Sequence, residues 1–435
     1  MAQLALPDHP GRYPLSNELH ARPFPELTPP CRTVSLAIKE PHRAAERDRS
    51  RDFAHLVALL DRYGAPHPAP GANHYSGDLG RAFLKWEQHT EFVTYTLFLP
   101  GVADKPFAAD SFDIFPKDWL AEAPGKVVSS AMVRSMVVEP ADREAVIARE
   151  FDHWFVPESL AASAVADGDA VIAGDFRLDE NGHTRFAVLA KPGISPRRLG
   201  RIVTRLLEVE TYKSMALLTL PQAREVAAAA ARLDRDLSEV VARMAREPGH
   251  EADTLGHLLA IAAEVEALSS STAFRFGAAE AYGAIVDQRV QILRETRISG
   301  LQLFGEFMMR RFDPAMRTCR SAKLRLDELS ARAERAGNLL RTRIDVETQA
   351  QNVEVLQAMN RRAAMQLRLQ ETVEGLSVVA ISYYAVSLTA GLLAPLAHLV
   401  GLDKGLLAAL VTLPVVAGVW IAVRRIRARL GHHGE

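Results

Sequence analysis

Three ionisable residues at alternate positions, Glu87, His89 and Glu91, have the types and the spacing of a metal site. In an extended segment alternate side chains share one face, so an imidazole would lie between two carboxylates, a suitable ligand set for a divalent metal. The segment joins two predicted strands, however, and a hairpin turn at residues 88 and 89 would scatter the three side chains. The sequence therefore predicts either a metal site or a solvated strand face or turn.

A second alternating set near the N-terminus, Glu18, His20 and Arg22, predicts a ligand-binding site. A carboxylate, an imidazole and a guanidinium on one face could bind an anionic group or a metal. Arg22 precedes Pro23, and the residue before a proline favours extended backbone. The alternative is a charge-paired N-terminal arm that docks on the domain, with His20 bonded to Glu18.

The rest of the sequence contains no familiar catalytic motif and designates no cofactor. It has no Gly-rich phosphate loop, no Gly-x-Ser-x-Gly elbow, no His-Glu-x-x-His motif and no Cys pair. Its two cysteines, Cys31 and Cys319, are far apart, which suits a reducing compartment. The 52 basic and 53 acidic residues nearly balance, so no nucleic-acid partner is expected.

Residues 1–195, which carry both sets, are predicted to form an α+β cytoplasmic domain. Helical spacing predicts helices over Arg43–Tyr63 and Glu144–Phe155, and Asn-Gly at 181–182 predicts a hairpin turn because these residues tolerate positive φ. β-branched and aromatic runs bounded by Gly, Pro or Asp predict the strands Thr33–Ile38, Ala82–Trp86, Glu91–Leu99, Val127–Val138, Ala170–Leu178 and Thr184–Ala190.

Residues 196–374 are predicted to form a helical bundle or stalk. The segment is rich in Ala, Leu, Arg and Glu, and Pro196 after Ser195 is typical of a helix start. Helix breaks are expected near Pro221, Pro248-Gly249, Gly300 and Pro314.

The last part of this helical region has the pattern of a coiled coil. Val353, Leu356, Asn360, Ala363 and Leu367 follow 3-4 spacing, and Asn360 in such a seam would set the register. The segment after Pro314 predicts either one helix that runs directly into the membrane or a helix that folds back at Gly337.

The C-terminal part of the chain, residues 375–424, is predicted to form a transmembrane hairpin. The runs 375–401 and 405–423 contain no Asp, Glu, Lys or Arg. As one helix, residues 375–423 would measure roughly 74 Å against a hydrocarbon core of about 30 Å, so two crossings are expected. Asp403 and Lys404 would cost roughly 2.5–3.5 kcal/mol each at the bilayer centre and should form the turn at the interface. Ser387 and Gly391 form a small-xxx-small pair that allows close packing of the two membrane helices.

The flanking charges predict the orientation. Arg361, Arg362 and Arg368 precede the first span, and the tail, residues 425–435, is basic, so both ends are expected in the cytoplasm. The N-terminus lacks the basic and apolar regions of a secretory signal. These observations predict a multi-pass protein of a bacterial inner membrane.

Three stretches resemble a bacterial family known as domain of unknown function 3422, described as membrane-anchored proteins. They are residues 17–24 (NELHARPF), the pair 274–282 (FRFGAAEAY) and 310–319 (RRFDPAMRTC), and residues 366–384 (QLRLQETVEGLSVVAISYY). The resemblance implies a cytoplasmic body with a C-terminal anchor. It implies no activity.

A looser architectural similarity is to CorA-type divalent-cation channels, which combine a cytoplasmic α/β domain, a stalk helix and two spans. That family carries Gly-Met-Asn after its first span, whereas residues 398–404 of this chain read His-Leu-Val-Gly-Leu-Asp-Lys. A lysine at a cation entrance opposes cation attraction, so shared architecture is analogy alone.

Together these patterns predict a non-enzymatic, inner-membrane-anchored protein with a binding or scaffolding role. Its expected partners are the lipid bilayer, further copies of the chain through stalk and spans, and a cytoplasmic protein. One alternative is a CorA-like divalent-cation channel or a descendant that lost the Gly-Met-Asn filter. Another is an enzyme that acts at the membrane with Glu18, His20 and Arg22 in its site.

Overall fold

The computed structural model of the chain describes residues 8–18, 23–41, 46–246, 251–399 and 403–430. They form two compact units, Met1–Gly337 and Asn338–Glu435. The predicted succession of an α+β region, a helical region and two apolar helices is confirmed. The sequence-based boundaries at 195, 374 and 424 remain predictions.

A mixed nine-stranded sheet organises the first unit. Its order is β2-β3-β4-β1-β5-β8-β7-β6-β9, and only β5 and β8 pair in parallel among these neighbours. The strands are β1 Cys31–Lys39, β2 His74–Asp78, β3 Phe83–Gln88, β4 Phe92–Pro100, β5 Lys126–Val137, β6 Ala161–Val165, β7 Ala170–Leu178, β8 Thr184–Ala190 and β9 Thr296–Arg297. Strands β2, β6 and β9 were not predicted from the sequence, because they are short and consist mostly of small or polar residues.

The predicted turn between β7 and β8 is present. Gly182 has a φ of 83°, in the left-handed region that glycine adopts without strain. The Asp179 carboxylate accepts hydrogen bonds from the backbone N–H groups of Asn181 and His183, which closes the turn.

One face of the sheet packs on helix α2 (Arg49–Tyr63) and the short helix α3 (Lys117–Ala121). Leu56, Leu59 and Leu60 of α2 recur at helical spacing and meet Trp86 and Tyr95 of the sheet in a closely packed apolar core. The first residues of the predicted helix, 43–45, lie outside the described residues. Helix α4 (Arg143–Trp154) follows β5 and packs its aromatic residues on β7 and β8.

The other face of the sheet packs on helix α5 (Pro196–Leu217), which begins at the predicted proline after Ser195. Its Leu199, Ile202 and Leu206 contribute to a second apolar core with β5, β7 and β8. The chain continues through α6 (Thr219–Arg246), α7 (Glu251–Leu293) and α8 (Phe304–Leu399).

Helix α8 starts in the first unit at a capped N-terminus. The Glu295 carboxylate accepts from the backbone N–H of Gly305 at 3.0 Å, and Ser163 Oγ accepts from the N–H of Phe304 at 2.9 Å. A carboxylate at a helix N-terminus satisfies free N–H groups and complements the helix dipole.

Within the first unit α8 buries a stripe at 3-4 spacing, which packs in a bundle with α6 and α7. The stripe consists of Cys319, Ala322, Leu326, Leu329, Ala333 and Ala336. Ion pairs from Arg332 to Asp234 of α6 and from Lys323 to Glu280 of α7 flank it. Sequence analysis placed the seam further along, at residues 353–367, and there Val353, Leu356 and Leu367 are exposed. A coiled coil over that segment remains a prediction.

The structure contradicts one of the expected helix breaks. The break near Pro314 is wrong, because α8 continues through this proline. Met308, Phe312 and Met316 on either side of it pack on α7, and such packing outweighs the lost backbone hydrogen bond. The helix also passes Gly337 without folding back. The break near Pro248-Gly249 lies outside the described residues.

The second unit holds two apolar helices, the remainder of α8 and α9 (Lys404–Leu430). Both contain a window long and apolar enough to cross a membrane, which indicates a membrane anchor. Asp403 directly precedes α9, and its backbone carbonyl accepts from the N–H groups of Leu406 and Leu407.

Candidate functional site

The strands β1, β3 and β4 are buried on both faces, and the two faces differ in chemistry. On the α2 side the rungs are apolar, with Leu84, Leu97 and Val34 directly opposite one another. On the α5 side the equivalent rung consists of Lys85, Thr96 and Ser35. Because these polar side chains are less than a tenth exposed, the α5 side holds a buried polar surface inside the domain.

This polar surface lines a cavity of about 270 Å³ between the sheet and α5, here called the polar cavity. Strands β1, β3 and β4 supply Ser35, Lys85, Glu87, Thr94 and Thr96. Helix α5 supplies Thr204, Glu208 and Thr211, whose 4-3 spacing puts them on one helix face, and α7 supplies Arg289. His89, Phe92 and Tyr212 close one end with aromatic rings.

The polar cavity contains two ion pairs, one on each wall. On the sheet wall, Lys85 Nζ lies 3.0 Å from Glu87 Oε2. On the helix wall, Arg289 donates to the Glu208 carboxylate. Burial raises the pKa of Glu208, and Arg289 opposes that rise. From the sheet wall, Glu87 raises the same pKa and Lys85 lowers it, each by a smaller amount. The four charges sum to zero.

Hydroxyl groups also line the polar cavity. Ser35 Oγ and Thr96 Oγ1 are 3.0 Å apart and share a hydrogen bond. Thr204 is 8% exposed, and its Oγ1 has no hydrogen-bond partner among the described residues. A buried hydroxyl without a hydrogen bond costs free energy.

A second cavity of about 520 Å³ adjoins the first and is here called the arm cavity. Both cavities are lined by Phe24, Lys85 and Phe98. Residues 23–28 form one wall of the arm cavity, and Cys31, which has a pKa raised to about 11 by burial, lies in it as well.

The N-terminal arm, residues 23–30, docks across the first turns of α5. The backbone N–H of Leu27 donates to the carbonyl of Pro196 at 3.1 Å, and Glu26 pairs with Arg197. Gly200 makes the close approach of arm and helix feasible, because a Cβ there would lie 1.8 Å from the Pro25 carbonyl oxygen. The predicted alternative of a docked arm with His20 bonded to Glu18 concerns side chains outside the described residues and stays a prediction.

Next to the polar cavity, Glu91 is the centre of a buried ionic cluster. Only 1% of its side chain is exposed; it pairs with Arg275, accepts from the Tyr282 hydroxyl at 3.0 Å and lies 3.8 Å from Lys39 Nζ. Burial lowers the pKa of Lys39, and Glu91 opposes that shift. Burial also raises the pKa of Tyr282, as does the Glu91 carboxylate.

The structure separates the three residues of the predicted metal set. Strand β3 ends at Gln88, β4 begins at Phe92, and the N–H of His89 bonds the carbonyl of Phe92, which is the hairpin arrangement held as the alternative. Glu87 and His89 line the polar cavity, whereas Glu91 points to Arg275. Within the described ranges no three His, Cys, Asp or Glu side chains gather in a group that could hold a metal ion.

The other predicted site residues are only partly covered. Glu18 ends the short helix α1 (Arg12–Glu18), and its side chain, like all of His20 and Arg22, lies outside the described residues. Ser387 and Gly391 lie on α8, and a Cβ at Gly391 would meet no described atom within 4 Å. Close helix packing at this pair therefore stays a prediction.

Most residues of the polar cavity were not predicted as site residues, although the strand pattern gave a signal for some of them. Within the predicted strands, Lys85 alternates with Leu84 and Trp86, and Thr94 and Thr96 alternate with apolar residues. Such alternation is typical of a strand with one solvated face, and only the tertiary structure covers that face with α5. Thr204, Glu208 and Arg289 carried no signal of their own.

Comparison with known families accounts for nearly the whole chain. The family model described as Protein of unknown function (DUF3422) matches residues 7–430, which confirms the resemblance noted from the three stretches. No curated protein is significantly similar to the chain. These results show no similarity to CorA-type channels.

Proposed function

The chain belongs to the DUF3422 family, and we propose that it is a bacterial inner-membrane protein that acts by binding. In this proposal α9 and the apolar part of α8 cross the bilayer as a hairpin, with both termini in the cytoplasm. The body, residues 23–337, then presents its cavities to the cytoplasm.

The observation that carries the anchor is the exposure of the apolar helix Gly405–Ile426. None of its apolar window is buried in the structure, whereas a core helix of a soluble protein would be mostly covered. With 22 residues it reaches about 33 Å, enough to cross a hydrocarbon core of about 30 Å.

The binding role is supported by the polar cavity. A domain that only needed a stable core could fill this space with apolar side chains, as the other face of the same strands does. Four charged groups and several hydroxyls instead line a partly open cavity, and ligand sites commonly have a few convergent polar groups in a concave surface.

Cysteine labelling tests the anchor. In a Cys31→Ser/Cys319→Ser background, Asp403→Cys places one thiol before α9 and Arg149→Cys places one on the exposed surface of the body. In intact spheroplasts a membrane-impermeant maleimide should label Asp403→Cys and should reach Arg149→Cys only after lysis. Equal protection of both thiols would refute the hairpin topology.

One observation favours the channel alternative. A single helix, α8, contains both the predicted stalk and the first apolar segment. In CorA-type channels the stalk helix likewise continues into the first membrane span. If the protein is a channel, the full-length protein in liposomes should conduct divalent cations, which a flux assay detects. It should also form a ring of subunits, which native mass spectrometry detects. A monomer or dimer without flux would exclude a pore and leave the binding role.

A further inference from the structure

We propose that the polar cavity is a binding site for a small zwitterion of the size of a free amino acid. The inference rests on the proposed binding role and names its ligand class. The juxtaposition behind it is specific: two ion pairs, one on each wall, line a partly open cavity together with several hydroxyl groups.

The size of the cavity sets the first limit on the ligand. The polar cavity of about 270 Å³ is far larger than the roughly 10–15 Å³ that one water needs, so it has room for a small organic molecule. Drug-sized ligands need roughly 300–1,000 Å³, so the polar cavity suits a smaller metabolite.

Charge sets the second limit. Lys85 and Arg289 are balanced by Glu87 and Glu208, so a ligand with a net charge would leave an uncompensated charge in a partly buried space. A zwitterion keeps the balance. Its carboxylate can approach Lys85 and Arg289, and its ammonium can approach Glu87 and Glu208, where each meets an opposite charge in a medium of reduced dielectric constant.

The unpartnered hydroxyl of Thr204 is an independent sign of a missing ligand. Thr204 lies one helical turn from Glu208 on the same face of α5 and lines the polar cavity, and its Oγ1 is buried without a hydrogen bond. A hydroxyl can donate to a carboxylate or accept from an ammonium. A bound zwitterion therefore supplies the partner that the described residues do not.

Isothermal titration of the full-length protein in detergent tests the inference. The probes are the common L-amino acids, one at a time, each compared with its N-acetyl derivative, which lacks the ammonium, and its decarboxylated amine. At least one amino acid should bind, and loss of either charge should weaken it at least about tenfold, as expected for one charge-assisted hydrogen bond. No binding by any amino acid, or equal binding of the N-acetyl derivative, would overturn the proposal.

Two cavity variants connect binding to this site. Lys85→Met/Glu87→Gln removes one ion pair without leaving an unpaired charge, and Thr204→Val removes only the hydroxyl. Each should weaken the binding amino acid about tenfold while the thermal midpoint stays near that of the parent. Unchanged affinity in both would place the ligand elsewhere and refute the site.

Matched controls keep folding and topology separate from binding. Thr272→Val makes the same change at a buried helical threonine whose hydroxyl already bonds the Leu268 carbonyl, and Arg149→Met/Glu150→Gln neutralises an exposed pair. Both should bind like the parent. The titration does not depend on the topology of the chain in the membrane. If no amino acid binds while the maleimide labelling is as expected, the proposed ligand class is refuted and the proposal of an anchored binding protein still stands.

Discussion

Glu91, in the turn between β3 and β4, forms a buried ion pair with Arg275 of α7, 184 residues further along the chain. Tyr282, two helical turns beyond Arg275, reaches the same carboxylate. Arg275 also donates to the Met215 carbonyl and to Thr219 Oγ1, at the junction of α5 and α6. One cluster thus joins the sheet hairpin to three helices of the body.

Loss of Arg275 should destabilise the body strongly. In Arg275→Met the Glu91 carboxylate stays buried without its main partner, and breaking a buried pair from one side costs about 3–5 kcal/mol. Urea unfolding of the full-length protein, followed by fluorescence of the buried Trp86, Trp119 and Trp154, measures the change. The control is Arg149→Met in an exposed pair with Glu150, which should change the unfolding free energy little. Similar losses in both variants would contradict a special role for the cluster.

The stability of the body should fall as the pH drops below about 6.5, and His55 should contribute to that fall. Burial lowers the pKa of this histidine below its ordinary value of 6.5. Its Nδ1 lies 2.9 Å from the Tyr95 hydroxyl and its Nε2 lies 2.9 Å from the Trp119 carbonyl, which suits the neutral ring. The unfolded chain therefore binds a proton near pH 6.5 and the folded protein does not, so the stability present above pH 6.5 is lost as the pH falls toward the folded-state pKa.

The slope of the unfolding free energy between pH 7 and 5 tests this assignment. A single histidine contributes at most about 1.4 kcal/mol per pH unit, and His55→Phe should remove that part of the slope even though it lowers the stability overall. His257→Phe, at an exposed position of α7, should keep the slope of the parent. An unchanged slope in His55→Phe would show that other groups set the pH dependence.

Cys31 should be inert in the folded protein. Burial raises its pKa from 9.0 to about 11, which lowers the thiolate fraction at pH 8 about 100-fold, and the thiolate is the reactive form. Iodoacetamide labelling followed by peptide mass spectrometry should therefore modify Cys31 at least about 100-fold faster in urea than in the native state. Equal rates would mean that the arm cavity opens freely in solution.

Gly200→Ala should release the N-terminal arm. The added methyl would overlap the Pro25 carbonyl oxygen, a backbone atom, so the arm must move, at a cost of about 1–3 kcal/mol typical of overpacking. Faster proteolysis within residues 23–30 and faster alkylation of Cys31 should both follow. Gly277→Ala, at an exposed helix position with no atom within 4 Å, should stabilise α7 slightly and leave the arm docked. Protection of the arm in both variants would show that Gly200 does not control docking.

Much of the secondary structure could be predicted because its signals are local. The strand runs, the Asn-Gly turn and the start of α5 at Pro196 each depend on residues within a few positions. The predicted break at Pro314 was wrong because contacts of Met308 and Phe312 with α7, which no local rule contains, hold the helix together. The metal set at Glu87, His89 and Glu91 depended on extended geometry that the hairpin interrupts.

By itself the sequence determined the two apolar helices, which indicate a membrane anchor, because long runs without charged residues are stable in hydrocarbon as helices. It likewise determined the alternation of Leu84, Lys85 and Trp86, and with it two chemically different faces of β3. Only the tertiary structure decided that α5 covers the polar face and that Glu208 and Arg289 complete it. It also decided that Arg275 meets Glu91. These pairings join distant segments, and they follow from how sheet and helices pack rather than from any spacing along the chain.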